Sequence, residues 1–139
     1  MGTETTVLNK IRAADWSLIA DQLSRDGHSS LTGLMLPQDC ASLAEAYDDD
    51  HAFRSRVVMA RHNFGRGEYR YFSYPLPLIV QALREALYER LVVIANDWQE
   101  RLGIEYRYPV THQAFIEQCN TLKQTRPTPL LLRYGVDDY

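Results

Sequence analysis

Apolar residues recur at intervals of three or four in four stretches of the chain, the spacing that gives a helix one apolar face. The first stretch starts at Trp16 and is stopped by Gly27, and the second starts at Pro37, which suits the first turn of a helix. The longest covers residues 76–98, and the last follows Thr111, a good N-cap residue. Four helices are therefore predicted, and the longest is expected to be the main scaffold, with its apolar stripe buried.

Two β-prone stretches, RVVMA at 56–60 and EYRYF at 68–72, flank the sequence HNFGRG, which predicts a hairpin with a Gly-rich turn. Residues 28–36 are predicted to be short and extended. The leucine run at 130–132 suits a buried strand and is followed by the turn-forming residues of 135–138. Because helices and strands come in mixed order without regular βαβ alternation, the prediction is an α+β fold in a single domain, 1–139.

Composition is that of an ordinary globular chain, with 45% apolar and 24% charged residues. The formal net charge of −3 favours neither nucleic acid nor an acidic membrane as partner. No apolar run approaches the roughly 18 residues of a transmembrane helix, and the N-terminus lacks the apolar core of a signal peptide. Cys40 and Cys119 lie far apart without Cys-x-x-Cys spacing, which predicts two reduced, buried thiols in a cytoplasmic protein.

The histidines, cysteines and glycine-rich segments of the sequence match no known catalytic or metal-binding motif. None of the four histidines begins a His-x-Asp or His-x-Glu triplet or belongs to a His-Glu-x-x-His pair, so all four are expected on the surface or in loops: His28, His51, His62 and His112. The sequence FGRG at 64–67 lacks the Lys-Ser/Thr of a phosphate loop and precedes a strand, so a hairpin turn is favoured. Cys119 and His112 would lie about 10 Å apart on one helix, too far for a nucleophile and its base.

Three long stretches together resemble one known family: FRSRVVMARHNFGRGEYRYFSYPLP at 53–77, LREALYERLVVIANDW at 83–98 and RPTPLLLRYGVDDY at 126–139. It is a bacterial group of 2-oxoglutarate- and Fe(II)-dependent oxygenases related to prolyl hydroxylases, and the resemblance covers the chain from about Trp16 onward. It implies a helix-rich support region over about 1–125, with 126–139 as the first strand of a truncated, jelly-roll-like double-stranded β-helix.

The resemblance also implies a function, oxidation of a substrate coupled to decarboxylation of 2-oxoglutarate. The iron-binding His-x-Asp of the family would come after the position of Tyr139, so this chain alone is expected to hold no metal ligand, no catalytic residue and neither cofactor, Fe(II) or 2-oxoglutarate. Tyr134 matches a tyrosine that faces the co-substrate in related hydroxylases, although an ordinary half-buried strand tyrosine is the alternative. Asp137 stands where the family tends to have glycine, which is expected to alter the turn.

Two hypotheses follow for the whole chain. In one, the chain is the N-terminal part of an oxygenase and is inactive by itself. The substrate of that oxygenase could be a peptide, a small molecule or a nucleic acid. In the other, it is a non-catalytic interaction module that pairs with another protomer. Because the strand at 130–132 of a truncated barrel would lack its later neighbours, the isolated chain is expected to be marginally soluble or to self-associate through its C-terminal segment.

Overall fold

The computed structural model describes residues 2–139, apart from the side chains of residues 3 and 4. Within that range it has five α-helices and a three-stranded antiparallel sheet, which confirms the α+β class. The helices are α1 (Thr3–Ala13), α2 (Trp16–Asp26), α3 (Pro37–Ala46), α4 (Leu78–Arg101) and α5 (His112–Thr121). The strands are β1 (Phe53–Val58), β2 (Glu68–Phe72) and β3 (Leu130–Arg133).

The chain divides into two compact units. The helical unit comprises the residues up to Leu36 together with Leu78–Gln124, and so holds α1, α2, α4 and α5. The sheet unit comprises Pro37–Pro77 and Thr125–Tyr139, and holds α3 and all three strands. Among the helices that the structure describes, none combines the length and apolar character needed to cross a membrane.

Local capping signals define α2 and α5 as predicted. The Asp15 carboxylate accepts a hydrogen bond from the Leu18 N–H at 3.0 Å, and Gly27 ends α2 with a left-handed φ of 75°. At α5, the Thr111 hydroxyl accepts a hydrogen bond from the Ala114 N–H at 3.2 Å. The helix α1 was missed, since it carries few apolar residues; two of them, Val7 and Ile11, are fully buried.

The burial predicted for the longest helix is only partly correct. Of the predicted apolar stripe, Leu76 is buried, whereas Leu91 and Trp98 are exposed. The buried Val92 lies outside the predicted stripe. Other apolar residues of α4, such as Leu78 and Val93, are more exposed still. Apolar side chains therefore surround α4 instead of forming one stripe, since the helix packs on both α1 and α5.

Three further predictions are wrong. Residues 28–36 form a turn and irregular backbone, not an extended strand. Cys40 is exposed and Cys119 half-buried, so the two free thiols are not both core residues. His112 is buried in the first turn of α5, where its ring packs edge-on against Tyr88 at 5.4 Å between centroids.

The sheet has the order β1-β2-β3 with both pairs antiparallel, which confirms the hairpin and adds the leucine strand to its second arm. The β2–β3 register sets Glu68 opposite Arg133. Beneath the sheet lies an aromatic core in which Phe53 stacks on Phe72 at 4.7 Å, with Tyr47 tilted against Phe53 at 5.7 Å. Three buried rings thus hold β1, β2 and the segment after α3 together.

Adjacent valines of α4 give a matched test of this packing. Val92 is 5% exposed and Val93 is 68% exposed. Val92→Ala should lower the free energy of unfolding by about 1.5–3 kcal/mol, since it removes buried methyl groups and leaves a cavity. Val93→Ala should change it by less than about 0.5 kcal/mol. Equal urea midpoints for the two variants would contradict the observed orientation of α4.

Candidate functional site

Charged side chains cluster on one face of the three-stranded sheet. Alternation along β2 places Glu68, Arg70 and Phe72 on the same face. The neighbouring strands add Arg56, which is opposite Arg70 on β1, and Arg133, which is opposite Glu68 on β3. An acid and three arginines therefore meet on a surface built from all three strands.

Glu68 is the centre of this cluster and is only 8% exposed. One carboxylate oxygen accepts a hydrogen bond from Arg56 Nε at 2.7 Å, and the other accepts one from Arg133 Nη2. Burial alone would raise the pKa of Glu68, but the hydrogen bonds and charges of the two arginines outweigh it and lower the pKa below its usual value. Glu68 is therefore an ionised structural partner at neutral pH, not a proton donor.

The aspartates that follow α3 complete the network. Arg133 Nη1 donates to Asp48 at 2.9 Å, and Arg70 Nη2 donates to Asp50 at 2.7 Å. Both aspartates are exposed, but each has a specific partner, so neither is merely solvated. The Glu68-x-Arg70 spacing was the sequence signal for a charged sheet face, since it puts two opposite charges on one face of a strand. It did not indicate the aspartate partners.

Aromatic rings line the inner side of the same cluster. The Arg133 guanidinium lies 4.3 Å from the centre of the Tyr47 ring, and the Arg70 guanidinium lies 4.6 Å from that of Phe53. The Tyr47 hydroxyl is buried and has no hydrogen-bond partner among the described residues. Its burial, followed by the charge of Glu68, raises the pKa of Tyr47, so the phenol keeps its proton at neutral pH.

Tyr134 lies immediately after β3, at the rim of a cleft. It follows the last residue of β3, and its side chain is 51% exposed, so it is neither a strand residue nor a core residue. Its ring lies against Gly67, where an added Cβ would come within 2.8 Å of a ring carbon. The cleft beside it is lined by Gly67, Glu68, Arg133, Tyr134, Gly135 and Asp138. A phenol thus borders the same cleft as the Glu68–Arg133 ion pair.

The turn after Tyr134 depends on Asp137. This residue has a φ of 67°, in the left-handed region that glycine adopts with least strain. The turn is closed by the Gly135 N–H, which donates to the Asp138 carboxylate at 2.7 Å. An aspartate can thus occupy the position where the resembling family tends to have glycine.

The histidines and cysteines do not come together. His28, His51 and His62 are exposed, as predicted. Burial, and then the charge of Arg84, lowers the pKa of His112, so this ring is neutral at pH 7. Among the side chains that the structure describes, no group of three or more His, Cys, Asp or Glu residues is able to hold a metal ion.

Residues 67–139, more than half of the chain, match a family model described as "Oxygenase, catalysing oxidative methylation of damaged DNA". The chain belongs to this family, Oxygenase-NA. The resemblance noted in the sequence is therefore confirmed at the level of an oxygenase. The part that matches Oxygenase-NA includes β2, α4, α5 and β3, and with them Glu68, Arg133 and Tyr134.

Two curated relatives extend this comparison. The uncharacterized proteins MT2286 and Rv2227, from two strains of Mycobacterium tuberculosis, are each 37% identical to the chain over 68 residues. The match covers 49% of the chain but 29% of each relative. The chain thus spans less than a third of the length of the curated relatives it matches. No solved structure matches it.

The central ion pair of the sheet gives a stability prediction with a pH signature. Glu68→Gln should lower the free energy of unfolding by about 1–3 kcal/mol at pH 7, because two arginines lose a buried charged acceptor. Asp50→Asn, at an exposed pair, should cost about 0–1 kcal/mol.

The sign of the pH dependence follows from the lowered pKa of Glu68. The stabilisation is fully present above the unfolded-state pKa of about 4.3 and is lost as pH falls through the lower folded-state value. The difference between wild type and Glu68→Gln in urea unfolding should therefore shrink below about pH 4. A difference that stays constant down to pH 2 would show that the ionised carboxylate is not what the variant removes.

Proposed function

We propose that this chain is the support region of an oxygenase that uses Fe(II) and 2-oxoglutarate, and that its sheet is the start of a double-stranded β-helix. The observation that carries the proposal is the position of β3, the leucine strand of the RPTPLLLRYG stretch, at the edge of an antiparallel sheet. A jelly-roll barrel adds further strands to such an edge. The family match to an oxygenase supports the same conclusion.

The described residues do not fit an iron centre. Non-haem Fe(II) oxygenases hold the iron with two histidines and one carboxylate that occupy one face of its coordination sphere. No such group is present among the described side chains. The proposal therefore assigns the metal ligands to polypeptide beyond the described residues. It assigns no step of the oxidation to this chain.

Tyr134 is the residue that we propose to face the co-substrate. Its phenol is exposed at the rim of the cleft lined by Glu68 and Arg133, so a hydroxyl donor faces this space. 2-Oxoglutarate is a dicarboxylate, and carboxylates are bound by such donors. In this proposal Tyr134 orients the co-substrate, while Arg133 remains engaged with Glu68 and Asp48.

For the substrate, we carry over the class that the family description names, damaged DNA. A base-modifying oxygenase requires the target base outside the stack, so single-stranded or flipped-out nucleotides would be bound. The net charge of −3 led to the prediction of no nucleic-acid partner. Net charge is a sum over the whole chain, however, and does not show whether positive charges are concentrated in one region.

Turnover assays test this proposal. Purified 139-residue chain should bind Fe(II) no better than background and should form no succinate from 2-oxoglutarate. The chain extended along its gene through any His-x-Asp codons should do both. In that longer polypeptide Tyr134→Phe should weaken apparent 2-oxoglutarate affinity about tenfold, the effect of one hydrogen bond to a charged group.

Two results would overturn the proposal. One is stoichiometric iron binding with turnover by the 139-residue chain, which would mean that His51 or His62 has been misassigned as a loop residue. The other is a His-x-Asp-containing polypeptide that binds Fe(II) but leaves 2-oxoglutarate intact.

The exposed edge of β3 also favours the second hypothesis, an interaction module that pairs with another protomer. Leu132 is 54% exposed on this edge strand, and Val136 beyond it is almost fully exposed. Unpaired backbone groups beside exposed apolar side chains are typical of a surface that adds a further strand.

Sedimentation velocity tests the pairing directly. The wild-type chain should associate with rising concentration, and Leu132→Lys should remain monomeric because a charge on the edge opposes pairing. Val93→Lys, at another exposed apolar position, on α4, is the matched control and should associate like wild type. Clean monomers for the wild type at all concentrations would rule out this mode of association.

A further inference from the structure

The loop between β1 and β2, residues 59–67, carries an exposed pair of stacked rings. Phe64 is 65% exposed, and its ring stacks on that of His62 with centroids 5.6 Å apart and an interplanar angle of 24°. A large apolar ring in water is unfavourable for an isolated chain. The loop therefore presents a flat aromatic surface that contributes little to the core.

Two uncompensated cations flank these rings. Arg61 and Arg66 are exposed, and neither takes part in a salt bridge within the described residues. By contrast, Arg56 and Arg70 on the adjoining strands are paired with Glu68 and Asp50. The loop MARHNFGRG contains no acidic residue, so it is locally positive in a chain whose net charge is −3.

The backbone holds this loop in a defined shape. Asn63, Gly65 and Gly67 have φ values of 57°, 105° and 118°, which turn the chain sharply. The loop is closed by the Met59 N–H donating to the Gly67 carbonyl at 3.0 Å. Its tip is fastened by the Arg66 N–H, which donates to a main-chain oxygen of Tyr139 at 2.8 Å, and the Arg66 guanidinium lies 5.9 Å from the centre of the Tyr139 ring. The aromatic and cationic groups are therefore presented with little ordering cost on binding.

We infer that the loop 59–67 is a contact site for single-stranded DNA, in which Phe64 stacks on a base while Arg61 and Arg66 bind the flanking phosphates. Aromatic stacking combined with cations that follow the backbone is how proteins bind single strands without reading their sequence. The charge complementarity favours a polyanion, and the stacked rings favour one with planar bases. The choice of DNA rests on the proposed function, and the loop adds the surface by which the substrate is held.

Fluorescence anisotropy with a labelled single-stranded DNA oligonucleotide tests the site. The probe is titrated with the intact 139-residue chain at several salt concentrations, without iron or 2-oxoglutarate. Phe64→Ala should weaken binding roughly tenfold and leave its salt dependence unchanged, because a stacking contact carries no charge. The double variant Arg61→Ala with Arg66→Ala should reduce the slope of log affinity against log salt by about 1.4, for two phosphates.

A control of equal charge comes from the helical unit. Arg25→Ala with Arg101→Ala also removes two exposed arginines, which are paired with Asp26 and Asp97. This control should bind DNA like wild type, and circular dichroism should show that all variants keep the same fold. A control that loses as much affinity as the loop variant would show a non-specific charge effect and overturn the inference.

Other outcomes also decide the question. Absence of binding by the wild type, or a Phe64→Ala variant that binds as well as wild type, would overturn the inference. Tighter binding of RNA of the same sequence would overturn DNA as the ligand. Because the assay contains no iron or co-substrate, its result is independent of turnover. Loop-dependent DNA binding by a longer, His-x-Asp-containing polypeptide that binds Fe(II) but leaves 2-oxoglutarate intact would refute the proposed function alone.

Discussion

The buried carboxylate of Glu68 is the constraint on which the sheet unit depends. A carboxylate removed from water must be matched by charged hydrogen-bond donors, or it destabilises the fold. Here the donors come from both neighbouring strands, Arg56 on β1 and Arg133 on β3. One side chain thus joins three strands and holds Leu130–Arg133 in register with a hairpin that lies far earlier in the chain.

The same constraint explains why the arginines of this face form no anion site. Arg133 is shared between Glu68 and Asp48, and Arg70 between Asp50 and the Tyr47 carbonyl. Each cation is met by an acid, so the network is balanced and structural. Two cations that take no part in it, Arg61 and Arg66, lie in the loop 59–67, which itself contains no acidic residue. The arginines proposed to bind an anion therefore lie in the loop 59–67, outside the ion-pair network.

Features that depend on neighbouring residues were predictable, and those that depend on tertiary packing were not. Gly27 and Thr111 define helix ends through their own conformation or hydroxyl, so the sequence showed them directly. The burial of His112 and the exposure of Cys40 depend on which elements pack against them, and periodicity does not contain that information. At the site, the strand alternation of Glu68 and Arg70 was readable, but their partners at Asp48 and Asp50 required the fold.

Gly67 connects the proposed activities within the sheet unit. It closes the loop 59–67 through its carbonyl, and its missing side chain leaves the space that the Tyr134 ring occupies. The loop proposed to hold DNA and the tyrosine proposed to face the co-substrate are therefore positioned by one residue with a φ of 118°. Because the next residue is Glu68, whose ion pairs fix both adjoining strands, a shift of the loop would be resisted by the same carboxylate that organises the sheet. The proposed DNA-contacting loop and the proposed co-substrate-facing tyrosine thus share one support, and catalysis gains from holding its reactants in a fixed geometry.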